Sequence, residues 1–218
     1  MNSISNKGTH IIAIDGPSGV GKTTVAARVA EQTGLPLLAG GRLFRAIAWI
    51  AEQEGVTKDA AIIKLAQSAS LSFTNDGGIA YHGDDITNKL YSDAVSLRSS
   101  QIAQLPDLRQ PLDKLMRDLG YATGCVTEGR STGVHVFPDA SLKIWLTADY
   151  TTRFRRIADS RGTEAAKQTM SRDTMDERRQ HAPMTKASDA IEIDSTAMSV
   201  DEVVRRIVEL YHQKIETL

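Results

Sequence analysis

The 218-residue chain reads as an α/β fold: a parallel sheet core with helices on both faces and a small inserted subdomain. Three observations predict it. Apolar, β-branched runs alternate with amphipathic helical stretches, which argues a parallel sheet covered on both sides. The first run, Ile11-Ile12-Ala13-Ile14-Asp15, leads directly into Gly16-Pro17-Ser18-Gly19-Val20-Gly21-Lys22-Thr23. That is the G-x-x-x-x-G-K-[ST] pattern of a P-loop, set between strand and helix. Between residues 71 and 81 the texture changes to short alternating runs around a turn cluster.

Each element follows in order. The helix after the loop spans about Lys22 to Thr33, with Val25 and Val29 inward and Gly34 as its stop. Leu35-Pro36-Leu37-Leu38 is a short second strand or its approach. A helix from about Gly41 to Gln53 puts Leu43, Ile47 and Ile50 on one face, and Gly55 ends it. Asp59 to Ala69 forms another amphipathic helix. Leu71-Ser72-Phe73 and Ile79-Ala80-Tyr81 flank Asn75-Asp76-Gly77-Gly78 as a β-hairpin, which marks an insertion into a parallel core. Ser92 to Gln104 reads as helix, Pro106 interrupts, and a further helix runs to about Asp118. The core resumes with strands at Gly124 to Glu128 and Leu142 to Thr147. One Arg-rich helical stretch is predicted from about Tyr150 to about Arg179. Ala190 to Asp194 is the last strand. Ser199 caps the final helix, with Val200, Val203, Val204, Ile207, Val208 and Tyr211 on its buried side.

Bulk properties exclude some classes. Hydrophobic content of 41% and charged content of 24% fit a soluble globular protein. A formal net charge of -1 argues against a dedicated nucleic-acid or membrane surface, while leaving room for a local basic pocket. No stretch approaches the ~20 apolar residues of a membrane span. The single cysteine, Cys125, excludes an internal disulfide and fits a reducing cytoplasm. Beside an apolar run it reads as a buried small hydrophobe. The polar stretch from Met1 to Thr9 lacks an apolar signal core and reads as a short disordered lead-in.

The motif residues have mechanical jobs. Gly16, Gly19 and Gly21 let backbone N–H groups of the loop, Ser18 among them, surround a phosphate chain. Lys22 reaches the outer phosphates of ATP, the Thr23 hydroxyl sits on Mg²⁺, and Thr24 continues the helix start aimed at the same charge. Glu128 ends an apolar strand, where a carboxylate holds Mg²⁺ directly or through water, or simply lies in a solvated turn. Arg153, Arg155 and Arg156 fall within one turn, and Arg172, Arg178 and Arg179 recur later. Such a stretch is either a lid that stabilises a phosphoryl group in flight or a salt-bridged exposed helix. Beside a P-loop the lid is favoured.

At this point a resemblance is plain. Ile14 to Lys22 carries I-D-G-P-S-G-x-G-K unbroken. Ala39 to Arg45 corresponds to D-[ST]-G-x-x-Y-R, and Ser100 to Arg109 to S-x-x-A-x-x-P-x-V-R. Glu128 to Ala140 corresponds to D-G-R-D-x-G-T-x-V-F-P-D-A, and Arg172 to Arg179 to R-D-x-x-D-x-x-R. In this order the chain, from Ile11 onward, resembles the bacterial cytidylate kinases, which are P-loop nucleoside monophosphate kinases. The resemblance implies an inserted monophosphate-binding subdomain over 39–119, an Arg-rich lid over 151–185, and core segments at 10–38, 120–150 and 186–218. It implies Mg-ATP as phosphoryl donor, small nucleotides as partners, no nucleic acid or membrane, and a cytoplasmic monomer. Lys22, Arg153, Arg156 and Arg172 would be catalytic. Arg45, Arg130 and Arg179 would hold the acceptor's phosphate, Asp176 its ribose, and Ser100 and Arg109 the pyrimidine edge.

The departures concern the acceptor. The Asp-Ser/Thr of the pattern is Ala39-Gly40 here, which is expected to open space, and its tyrosine is Phe44. The second acid of D-G-R-D is Ser131, a neutral acceptor of shorter reach. Charge-assisted hydrogen bonds contribute about 1.5–3 kcal/mol against about 0.5–1.5 for neutral ones, so cytosine selection is expected to weaken. CMP, dCMP or a modified CMP all remain as acceptors. Two other readings stay open: a kinase of a non-nucleotide acceptor, opposed by Asp176 and Arg109, and a non-catalytic ATP-binding sensor, opposed by Lys22, Thr23 and the lid arginines.

Overall fold

The computed structural model describes residues 10–74 and 76–216; the lead-in expected over residues 1–9 and Asn75 of the turn cluster lie outside them. Strand β1 (Ile11–Asp15) is buried along its whole length. It pairs in parallel with β6 (Cys125–Gly129) on one side and β7 (Leu142–Thr147) on the other. With β2 (Leu37–Ala39) and β8 (Ile191–Asp194) the sheet runs β2-β6-β1-β7-β8, every pair parallel. Asp15 stands in register with Gly129 and with Trp145. The carboxyl ends of β1 and β6 are therefore level, with β7 running two residues further to Thr147, at the edge where ligands of open α/β sheets bind.

Alternation along β1 feeds two cores. Ile12 and Ile14 pack with Val25 and Val29 of α1 (Lys22–Thr33) and Val203 and Ile207 of α9 (Val200–Ile215). Ile11 and Ala13 pack on the opposite face. Their partners there include Leu43 and Ile47 of α2 (Gly40–Gln53), Ile62 of α3 (Asp59–Ser68), Val95 of α4 (Asp93–Ile102), and Leu108 of α5 (Pro106–Thr123). Each fully buried isoleucine of β1 contributes about 1.5–3 kcal/mol. Cys125 is fully buried, and burial pushes its thiol up to about 12.

Several expectations need correction. The hairpin of β3 (Leu71–Phe73) and β4 (Ile79–Tyr81) forms, but a third strand, β5 (Asp84–Asp85), joins it through His82 and Gly83, both at positive φ. Two residues are too few to show alternation. Helix α5 starts on Pro106 and continues past Asp118 to Thr123, because its last turn packs Gly120 against Phe137. A one-turn helix, α6 (Thr132–His135), follows β6. The long Arg-rich helix is two helices, α7 (Tyr150–Arg161) and α8 (Thr163–Glu177). Gly162 between them sits at φ 88, ψ 160, backbone that side chains resist. The small cluster of Ile157, Ala166 and Met170 holds the pair together. Ser199 caps α9 as expected, and Glu202 completes a capping box. No helix of the described residues is long and apolar enough to cross a membrane.

Candidate active site

The site begins where β1 ends. Gly16 is the residue the turn demands: a Cβ there would lie 2.1 Å from the Leu146 carbonyl oxygen. The loop then enters α1 through Gly21, with no side-chain cap and no acid in the first turn. The orphan N–H groups of that turn stay available to an anion. Lys22 is buried and folds back, donating from Nζ to the Pro17 carbonyl at 2.7 Å. Burial, and then the charge of Arg130, push its ammonium down to about 7.

A cavity of about 810 Å³ opens over this loop. Ser18, Gly19, Gly21, Lys22, Thr23 and Thr24 line one end of it. Gly40, Arg45, Ser100, Arg109, Arg130, Ser131, Asp176 and Arg179 line the other, contributed by α2, α4, α5, the β6–α6 turn and α8 and its C-terminus. Glu128, Arg156 and Arg172 complete the predicted residues on the wall. Nine cationic side chains and three carboxylates line it in all, a balance suited to a polyanion. No histidine is among them.

The cations are held in place by their neighbours. Arg130 donates to Asp176 Oδ2 (2.8 Å), Ser18 Oγ (2.6 Å) and the Gly16 carbonyl (3.2 Å). It thus ties the β6 end to the P-loop and to α8. Arg179 bonds the other Asp176 oxygen. Arg45 donates to Ser96 Oγ (2.6 Å) and the Leu90 carbonyl (3.1 Å). Arg172 donates to Thr169 Oγ1 at 3.0 Å. Burial lowers the pKa of Arg45, Arg172 and Arg179, and neighbouring arginines add to the effect. Arg156 grips Ser195 through its hydroxyl (3.0 Å) and carbonyl (2.8 Å).

Two predicted site residues do not reach the wall, Gly16 and Arg153. Gly16 shapes the loop from beneath. Arg153 donates to Asp173 (2.7 Å) and to the Ser18 carbonyl (3.2 Å), so it braces the P-loop against α8. Arg155 and Arg178 are exposed. The space expected beside Gly40 is not open: a Cβ there would lie 2.9 Å from Met116 Sδ, and Ala39 is fully buried.

Other residues of the site went unread in the sequence. Asp173 accepts the Ser18 N–H with both oxygens (2.9 and 3.1 Å) and pairs with Arg130 at 3.2 Å. Asp15 anchors α6, accepting from Thr132 N–H and Gly133 N–H at 2.8 Å each and from the Thr132 hydroxyl at 2.9 Å. Burial raises its carboxyl above the usual range despite these donors. Ser195, Met198 and Ser199 bring the β8–α9 turn to the cavity, and Arg161 reaches it beside Gly162. Asp15 meets Thr132 across 117 positions, Asp173 meets Ser18 across 155 and Ser195 meets Arg156 across 39, while Arg161 stands at a helix break. Asp15 and Asp173 both stand inside sequence motifs, I-D-G-P-S-G-x-G-K and R-D-x-x-D-x-x-R, but the motifs name no partner for either.

The donor set fits Mg²⁺ in the manner of a substrate-completed site. No group of three or more His, Cys, Asp or Glu capable of holding a metal occurs among the described residues. Thr23 and Glu128 both line the cavity, and Mg²⁺ is commonly bound by one or two carboxylates plus substrate phosphates.

Known proteins resemble the chain over nearly its whole length. The family model for cytidylate kinase matches residues 12–213. The bifunctional pantoate ligase/cytidylate kinase of Synechococcus elongatus is 38% identical over 222 residues, covering 94% of this chain and 42% of that protein. The chain thus spans less than half the length of the bifunctional relatives it matches. The cytidylate kinase of Alkaliphilus oremlandii is 35% identical over 91% of this chain and 96% of its own. That of Citrifermentans bemidjiense is 34% identical over 94% and 93%. Among solved structures, a gluconokinase from Sinorhizobium meliloti superposes with a TM-score of 0.49 at 15% identity over 97% of each chain, a likeness too distant to bear on activity. A family match over nearly the whole chain, on a sheet whose central strand feeds a P-loop, means that the chain belongs to the cytidylate kinase family of P-loop nucleoside monophosphate kinases.

Proposed function

We propose that the chain transfers the terminal phosphoryl group of ATP to the phosphate of a pyrimidine nucleoside monophosphate: CMP, dCMP or a modified CMP. The observation that carries this is one cavity with the P-loop at one end and Arg45, Arg130, Arg172 and Arg179 around the other. Residues 39–119 present the acceptor and residues 151–185 cover it.

In this reading the loop amides and the first turn of α1 hold the donor's phosphates. Lys22 swings from the Pro17 carbonyl to the outer phosphates and regains its full charge there. Mg²⁺, held by Thr23, Glu128 and nucleotide oxygens, would neutralise phosphate charge. The guanidinium forks of Arg45, Arg130 and Arg179 orient the acceptor phosphate. Asp176 accepts from the ribose hydroxyls and Ser100 faces the base. An acceptor phosphate oxygen attacks in line, forming one P–O bond as the bond to ADP breaks. A phosphate dianion is nucleophile enough, so no general base is required. Arg172 and Arg156 stabilise the transferring group's charge, and Arg153 positions the loop.

A coupled ADP-release assay with Mg-ATP tests the reading against CMP, dCMP, UMP, 5-substituted CMP, AMP, GMP and shikimate. Turnover is expected to be highest with a cytidylate. Preference for shikimate or another acceptor without a base would overturn it.

A further inference from the structure

The phosphate chemistry leaves Asp113 of α5 unexplained. Its side chain lies on the cavity wall and is 13% exposed. None of the described residues donates a hydrogen bond to it. Its ion-pair partner is Arg109, one turn earlier, with Nε 3.8 Å from Oδ2, beyond hydrogen-bond distance. A carboxylate withdrawn from water without a donor is costly. Its pKa is correspondingly raised by burial, against the opposing charges of Arg109, Arg117 and His135.

Arg109 is fixed from two other sides. It donates to the Ala103 carbonyl at 3.2 Å, and its guanidinium lies over the Phe44 ring at 5.0 Å from the centroid. Phe44, Met116 and Val136 add apolar wall next to it. A partly apolar stretch of the cavity wall therefore carries one acceptor group and one fork of donors side by side. Ser131, also on the wall, is neutral. The other two carboxylates are differently placed: Asp176 is shared by Arg130 and Arg179, and Glu128 acts on the charge of Lys22 at the donor end.

We propose that Asp113 is a specificity-determining residue for the acceptor's base, accepting a hydrogen bond from an exocyclic amino group while Arg109 donates to the adjoining ring nitrogen and carbonyl. The inference rests on the reading of the acceptor as a pyrimidine nucleotide. Cytosine presents donor, acceptor, acceptor along its pairing edge, which one carboxylate and one two-pronged guanidinium match group for group. Uracil presents acceptor, donor, acceptor, and its ring N–H meets the guanidinium donor to donor.

The test is kcat/KM for CMP, UMP and the pyrimidin-2-one ribonucleoside monophosphate, which lacks only the amino group, in the wild type and Asp113→Asn. The wild type is expected to favour CMP over the deamino analogue by about 10- to 100-fold. Asp113→Asn, whose amide oxygen still accepts but carries no charge, is expected to shrink that ratio several-fold by lowering CMP turnover while the analogue changes little. A purely structural role would lower both acceptors together, and an unchanged ratio in the variant overturns the proposal. Equal use of CMP and the analogue by the wild type overturns it without any variant. Turnover of none of the three by the wild type would overturn the underlying reading of the acceptor instead.

Discussion

The two ends of the cavity are built by different means. The P-loop end rests mainly on one contiguous segment, Ser18 to Thr24, which works largely through backbone: a loop that Gly16 seats beside Leu146 and an uncapped helix start. The acceptor end is assembled from side chains of α2, α4, α5, the β6–α6 turn and α8, drawn from residues 40 to 179. The first tolerates few residue types at any position, because a backbone cradle depends on glycine and on a fixed register. The second can change one side chain at a time, as Gly40, Phe44 and Ser131 illustrate. A phosphate chain is the same in every donor, whereas the acceptor's base is where members of such a family can diverge.

Replacing Lys22 attacks the donor end most directly. Lys22→Met is expected to lower turnover by about 10³-fold, measured by ADP release. It is also expected to stabilise the nucleotide-free protein. The folded-state pKa of about 7 lies below the ordinary 10.5. Between those values the unfolded chain binds more protons, so this group's contribution makes stability rise with pH, and the penalty is full below pH 7. Thermal scans with a chelator should therefore place Lys22→Met roughly 5 °C above the wild type at pH 6. The gap should narrow towards pH 10. A gap that does not change with pH would remove the buried-charge account.

Asp173→Asn tests the joint between the ends. It removes the carboxylate shared by Ser18 N–H, Arg153 and Arg130. Breaking a buried pair from one side costs about 3 kcal/mol or more, which urea unfolding would register. A change below about 0.5 kcal/mol, typical of a surface site, would mean α8 is not anchored on the P-loop in solution.

The smallest expected effect is at the acceptor end. Gly40→Ser forces a Cβ towards Met116 Sδ and is expected to cost about 1–3 kcal/mol by overpacking. Adding Met116→Ala should recover part of it. Failure of that rescue would mean that the space beside Gly40 is governed by something other than Met116.

Local signals carried far in this chain. The strand, P-loop and helix from Ile11 to Thr33, the β7 strand and the Ser199 cap were all legible, because propensity, periodicity and capping act between residues a few positions apart. The family motifs marked both ends of the cavity. Gly162 stood in the sequence too, yet helical periodicity on either side of it masked the break between α7 and α8. Only the tertiary structure set Asp15 on Thr132 across 117 positions, Asp173 on Ser18 across 155, and Arg156 on Ser195 across 39. Only it turned Arg153 from the cavity to the loop, filled the space beside Gly40 with Met116, and left Asp113 on the wall without a donor among the described residues. Those outcomes depend on which strands become neighbours and how helices pack over them, and no rule acting within a few residues encodes that.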